Sequence, residues 1–136
     1  MPIVTLITDF GNKDYAVAAV KGALVSTIQN SQIIDISHHI EPYNVTQAAY
    51  VLKNAYKTFP KGSIHIVGVE SEKTPENNHL AMFFDGHYFI GADNGIFSII
   101  KGVFKAEKIV TINIHDQGAI VFPVLDLSLI HISEPT

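Results

Sequence analysis

Ile3-Val4-Thr5-Leu6-Ile7-Thr8-Asp9-Phe10-Gly11-Asn12 decides how the chain is read. Its first six residues are a short, β-branched, apolar run that stops at an acid, a ring and a glycine. That pattern predicts a buried strand opening into a loop. Helical spacing follows: Val17, Val20, Leu24, Val25 and Ile28 form an apolar stripe, with Asn12 placed to cap the helix and Asp14 to sit in its first turn. Gly22, inside that helix at some cost in stability, predicts close packing against a sheet, and Asn30-Ser31 ends the segment.

Working outward, the strand-then-helix order repeats. Residues 32–37 read as a second strand, and residues 44–58 have helical spacing through Val45, Ala48, Ala49, Leu52 and Tyr56. Phe59-Pro60-Lys61-Gly62 is a turn, residues 63–69 a third strand, and residues 71–78 a polar, proline-containing loop. Residues 79–84 and 87–90 make a hairpin about Asp85-Gly86, and Ala92-Asp93-Asn94-Gly95 is a further turn with positive φ expected at Gly95. A short helix over 94–103 and a strand over 108–114 complete the pattern. This order predicts an α/β fold: a layered αβα domain whose mixed, largely parallel central sheet carries an antiparallel addition.

Composition narrows the function classes. The 136 residues are 47 % hydrophobic and 16 % charged, enough for one core, and the net charge is −4. The nine basic residues, all lysine, are scattered singly rather than gathered on one face, so nucleic acid is not an expected partner. Cysteine is absent, which removes disulfides, thiol nucleophiles and cysteine-zinc sites and suits a reducing compartment. No apolar run approaches the roughly 20 residues that span a bilayer, and the first residues have no signal-peptide pattern. Cytoplasmic location, with no membrane partner, is the expectation.

Sheets of this class place ligands outside the carboxyl ends of their strands, so Asp9, residues 38–43 and residues 70–74 should gather along one edge. Asp9 at a strand end beside Gly11 suits acceptance of two hydrogen bonds from a vicinal diol such as ribose; a helix-capping or turn aspartate is the other reading. Asp14 has a dipole role open to it as well as a binding one. Tyr43, after Pro42, offers a flat face for a base or simple packing with a wet hydroxyl. Glu70 ends the third strand in line with Asp9. His38, His39 and Glu41 invite comparison with a metal site, but adjacent strand histidines point to opposite faces, and a surface or hydrogen-bonding role is the preferred reading. Glycine-rich fingerprints for dinucleotides and for nucleoside triphosphates are both absent.

Thr8-Asp9-Phe10-Gly11 with Asp14-Tyr15, then Lys21-Gly22, then Ile34-Asp35-Ile36-Ser37-His38 with Ile40 and Pro42, then Phe59-Pro60-Lys61-Gly62, and Asp93-Asn94-Gly95 occur in one order and spacing over residues 3–103. In that register the chain resembles the S-adenosylmethionine hydroxide adenosyltransferases, relatives of fluorinase and chlorinase. The resemblance implies an N-terminal domain over residues 1–126 of a protein whose second, β-rich domain completes the pocket from a neighbouring subunit of a homotrimer. It also implies hydrolysis of S-adenosylmethionine to adenosine and methionine, with no cofactor beyond the substrate. Asp9 falls on the family's ribose-gripping aspartate and carries the catalytic assignment. Asp14 falls on a second acid of that loop, Tyr43 on an aromatic lining the nucleoside pocket, and Glu70 joins them as a substrate-binding candidate.

The chain departs from the family pattern at two motifs. Val69-Glu70-Ser71-Glu72-Lys73-Thr74 stands where the hydrolases have Val-Asp-Pro-Gly-Val-Gly, and Asn77 lies near the place of their arginine. Phe122-Pro123-Val124-Leu125-Asp126 stands where they have Phe-His-Gly-Arg-Asp, with Pro123 in the histidine's position. Two alternatives to hydrolysis follow: a non-catalytic binding module for adenosine or S-adenosylmethionine, and a halogenase. Residues 127–136 resemble nothing in the family and are expected to be a non-native tail. The chain as it stands is expected to be inactive and poorly soluble.

Overall fold

The computed structural model describes residues 3–11, 15–28, 30–69 and 79–112. Strand β1 (Ile3–Thr8) has five of its six residues buried. It is flanked on both sides: β2 (Gln32–Ser37) pairs with it in parallel from Ile3↔Gln32, and β3 (Ile64–Gly68) pairs in parallel from Val4↔Ile64 to Thr8↔Gly68. A strand enclosed in this way is covered on both faces, which explains its unbroken apolar run. Beyond β3 come β5 (His87–Ala92), parallel to it, then β4 (His79–Phe84), the strand that runs against the others, and β6 (Lys108–Ile112), antiparallel to β4, giving the order β2-β1-β3-β5-β4-β6.

Helices cover both faces. On one, α1 (Ala16–Thr27) lays Val20 and Leu24 against Val4, Leu6, Ile64, Ile66, Tyr88 and Ile90. On the other, α2 (Val45–Ala55) and α3 (Ile96–Lys101) bury Ala48, Ala49, Leu52, Ile96, Phe97 and Ile100 against Ile7, Val67, Met82 and Phe89. Alternation along each strand divides the two cores: Val4 and Leu6 face α1, and Ile7 faces α2. The layered α/β class with a mixed, mostly parallel sheet is therefore the fold observed. Among the described residues no helix is long and apolar enough to cross a membrane.

Local chemistry sets the element ends. The Asn44 side chain caps α2 by accepting the Gln47 amide at 2.9 Å, and a 3-10 turn (Tyr56–Thr58) finishes the segment expected to be one helix. Asp85 and Gly86 both have positive φ (52° and 77°), as a two-residue hairpin requires. Gly102 (φ 59°) ends α3 earlier than the expected residue 103, because a left-handed residue cannot continue the helix.

Three expectations about α1 need correction. The helix begins at Ala16 with Tyr15 as its cap residue, so its first turn holds no acid; Asn12 and Asp14 lie outside the described residues. Val25 is 58 % exposed rather than part of the buried stripe. Gly22 is exposed, and a Cβ built there meets nothing within 4 Å, so it does not pack on the sheet. At about 100° per residue Gly22 lies some 200° round the axis from both Val20 and Leu24, on the opposite side of the helix. The expected loop over 71–78, the last residues of the final strand, the boundary at residue 126 and the tail 127–136 all fall outside the described residues.

Candidate functional site

The chain leaves β1 through α1 to β2 on one flank, then returns through α2 to β3 on the other. The strand order therefore reverses between β1 and β3, and the crevice outside the carboxyl ends of the strands at such a switch point is where ligands bind in sheets of this kind. Asp9 stands at that point, half-buried, with its amide directed at the Gly68 carbonyl (3.4 Å). Gly68 permits the close approach: a Cβ there would lie 3.1 Å from both the Phe10 ring and the Thr8 methyl.

The structure brings Asp9 and Tyr43 together. The Tyr43 amide donates to Asp9 Oδ2 at 3.0 Å, joining the loop after β1 to the loop after β2. Tyr43 holds φ at 62°, a left-handed conformation unusual for an aromatic residue, and its ring is 61 % exposed. A strained backbone thus presents both an amide to the carboxylate and a ring to solvent. A second tie runs beside it: the Gly11 amide, at φ 74°, donates to the His38 carbonyl at 2.8 Å. Residues 38–43 do gather beside Asp9, whereas Asp14, Glu70 and the rest of 70–74 lie outside the described residues, as do Asn77, Pro123 and the other motif departures. Asn94 also reaches this edge, its Nδ2 donating to the Val69 carbonyl at 2.9 Å, while Gly95 shows the expected positive φ of 92°.

Beneath these loops lies a polar chain of which sequence reasoning reached only His38, as a surface or hydrogen-bonding residue. Lys21 Nζ contacts Asp35 Oδ2 at 2.7 Å, Asp35 Oδ1 contacts His38 Nε2 at 2.7 Å, and His38 Nδ1 contacts Thr8 Oγ1 at 2.7 Å. Thr8 Oγ1 also accepts the Phe10 amide at 3.3 Å. Burial resists ionisation of Asp35, but hydrogen bonds from Lys21 and His38 outweigh it and hold the carboxyl below the usual carboxylate range. His38, 6 % exposed, is the buried centre of the chain; His39 is exposed, and the Glu41 carboxylate accepts from Asn44 Nδ2 at 3.3 Å. No group of three potential ligands placed to hold a metal occurs among the described residues. The available signal was an acid inside an Ile-rich strand three residues before a histidine, matched by a lone lysine in an apolar helix.

A second buried chain runs at the other end of the strands, on the α2 face. Thr5 Oγ1 contacts His65 Nδ1 at 2.7 Å, and His65 Nε2 contacts His87 Nδ1 at 3.1 Å, with the rings of Tyr56 and Phe59 packed edge-on over His65. Burial, then the neighbouring His87, push the His65 imidazole down to about 3. Tyr56 donates to Asp85 Oδ2 at 3.1 Å, and burial followed by that carboxylate raises the phenol to about 12. A cavity of about 370 Å³ beside this cluster is lined by Tyr56, Phe84, Asp85 and Phe104 among others. It includes neither Asp9 nor Tyr43 and lies away from the carboxyl edge, so topology, not cavity size, locates the candidate site.

Comparison with known proteins identifies the family. Residues 4–129 match the family described as SAM hydroxide adenosyltransferase N-terminal domain. The chain is 33 % identical over 118 residues to an (R)-S-adenosyl-L-methionine hydrolase of Methanocaldococcus jannaschii, covering 83 % of this chain and 44 % of that protein. It is 33 % identical over 63 residues to a fluorinase of Actinopolyspora mzabensis, covering 46 % of this chain and 21 % of that protein. A crystal structure of an uncharacterized conserved protein from Thermotoga maritima superposes with a TM-score of 0.80 at 26 % identity, covering 98 % of this chain and 54 % of the other. The chain thus spans about half the length, or less, of the proteins it matches. Since the family match spans residues 4–129, the chain belongs to the SAM hydroxide adenosyltransferase family, as its N-terminal domain.

Proposed function

We propose that the full-length protein hydrolyses S-adenosyl-L-methionine to adenosine and L-methionine. The observation that carries this reading is the Asp9 carboxylate held at the β1/β3 crevice by the Tyr43 amide, in a chain of this family. Asp9 accepts hydrogen bonds from the ribose hydroxyls, and the exposed Tyr43 ring offers its face to the nucleoside. Asp14 and Glu70 are assigned to the same pocket as substrate-binding residues. A water oxygen attacks the ribose 5' carbon and forms the new C–O bond. The C–S electron pair leaves on the methionine sulfur, and the water's surplus proton passes to solvent. Because the sulfonium is a good leaving group, the protein's work is to align water with the C–S bond and to exclude other geometries. The complete pocket belongs to a homotrimer in the cytoplasm, with S-adenosylmethionine as the only small molecule required.

A specific observation favours a second reading, a non-catalytic module that binds adenosine or S-adenosylmethionine. Asn77 and Pro123 stand where the family pattern has its arginine and histidine. Incubating the full-length protein with S-adenosylmethionine, with and without chloride or fluoride, and separating the products by chromatography distinguishes the readings. Adenosine formed without halide supports hydrolysis, and a 5'-halogenated nucleoside makes the protein a halogenase. Tight binding with no product at any protein concentration refutes hydrolysis in favour of the module.

A further inference from the structure

We propose that His38 is a positioning residue for the Asp9 loop, acting through the tautomer that Asp35 imposes on it. The Asp35 carboxylate has only acceptors to offer, and it already takes Lys21 Nζ on Oδ2 (2.7 Å). Its Oδ1 therefore requires a proton on His38 Nε2 (2.7 Å). In the neutral ring this leaves Nδ1 with a lone pair, so the contact to Thr8 Oγ1 (2.7 Å) is donated by the threonine hydroxyl. With its one proton committed to His38, Thr8 turns a lone pair to the Phe10 amide, at 3.3 Å. The backbone of the same histidine holds the far side of the loop, its carbonyl accepting the Gly11 amide at 2.8 Å.

Asp9 thus lies between two residues, Thr8 and Phe10, whose hydrogen bond shares the Thr8 hydroxyl with His38 Nδ1. Thr8 and His38 are 2 % and 6 % exposed, so water is a poor substitute for either partner. The proton order Lys21 to Asp35, His38 to Asp35, Thr8 to His38 runs from the surface of α1 to the crevice. Its effect on the ligand rests on the nucleoside-binding reading given above; its effect on the loop does not.

Asp35→Asn reverses the order without changing shape. The Lys21 ammonium can only donate, so it keeps the amide oxygen, and the amide NH2 turns toward His38 Nε2, which must then accept. The ring proton moves to Nδ1 and donates to Thr8 Oγ1, whose own proton must then turn to one of the two other positions about the oxygen, one of which the Phe10 amide occupies. In the intact protein at about pH 8, where imidazole is ordinarily neutral, nitrogen-proton correlation spectra of the His38 ring report which nitrogen carries the proton. The wild type is expected to carry it on Nε2 and D35N on Nδ1. Loss of one buried hydrogen bond should raise Phe10 amide exchange and weaken adenosine binding about tenfold each. Lys21→Met removes the ion pair but keeps the carboxylate, so it should retain the wild-type tautomer and the wild-type Phe10 exchange.

A wild-type ring protonated on Nδ1 overturns the proposal, as does a D35N ring that switches while Phe10 exchanges at the wild-type rate. Equal slowing or quickening of exchange in D35N and K21M also overturns it, since that would make the ion pair the cause. A wild type that does not bind adenosine, with tautomer and exchange still moving together, refutes the nucleoside reading and leaves His38 as the residue that sets the loop.

Discussion

Acidification should destabilise this domain through one residue. His65 is fully buried beneath Tyr56 and Phe59, with its two ring nitrogens committed to Thr5 and His87, and its folded value of about 3 lies far below the 6.5 of an unhindered imidazole. Because the folded value is depressed, the unfolded chain binds the proton more readily than the folded one in the window between 6.5 and about 3. Stability is complete above that window and falls as pH falls through it, by about 1.4 kcal/mol per pH unit. Moving from pH 7.5 to pH 5 should therefore cost about 2 kcal/mol from His65 alone. Burial lowers His87 as well, so its contribution has the same sign, but a proton on either ring opposes one on the other, and the two losses do not add in full. Urea unfolding at both pH values, in the wild type and in His65→Gln, measures the effect. Glutamine keeps a donor and an acceptor but gains no proton, so the variant should start less stable and lose about 2 kcal/mol less over the same interval. Equal losses in the two proteins would refute the reasoning, because the pH dependence would then belong to other groups.

Other substitutions test separate parts of the description. Gly22→Ala, on the open side of α1, should stabilise by roughly 0.5–1 kcal/mol in urea unfolding; a loss would show that this face is covered in solution. Tyr43→Gly removes left-handed strain of about 1 kcal/mol while adding a comparable entropic cost, so stability should hardly change. Calorimetric titration with adenosine should nevertheless show weaker binding, and unchanged affinity would remove the ring from the site. Leu24→Ala should cost about 2–5 kcal/mol and Val25→Ala less than about 0.5, since only the first side chain is buried. Similar losses at the two positions would contradict the orientation of α1.

Much of the fold was legible because its strongest signals are local. Residues 3–8 and 32–37 are short runs rich in β-branched residues bounded by turns, and both strands have the expected limits. Asp85-Gly86 marks its hairpin because only certain residues tolerate the two left-handed positions. Pairing was harder to see. The sequence shows a hairpin but not that its second strand, β5, docks on β3 while the first faces β6, because that choice depends on which face each strand offers to a distant neighbour. Gly22 was misread because a glycine in a helix signals either a close approach or a tolerated cost, and only the angular position decides.

The candidate site was legible in part for the same reason. Asp9 and Tyr43 stand out by residue type at strand ends, and their contact across 34 positions follows once β1 and β2 are neighbours. The Lys21, Asp35, His38 and Thr8 chain joins one helix, two strands and the loop after β2 through side chains, which leaves no periodic trace in the sequence. Thr5 and His65 are hidden similarly, since each occupies a strand position where an apolar residue would fit the pattern equally well.

The sheet order also governs when the crevice can form during synthesis. Thr8, Asp9, Lys21, Asp35, His38, Tyr43 and Gly68 all precede residue 70, and the strands β2, β1 and β3, on which or beside which all but Lys21 of α1 lie, are contiguous in the sheet. A nascent chain can therefore assemble every described hydrogen bond around Asp9 before the β4–β5 hairpin leaves the ribosome. Damage to the later strands should then lower the yield of folded protein while sparing the local arrangement of the early ones, so the two halves of this domain tolerate sequence drift on different terms.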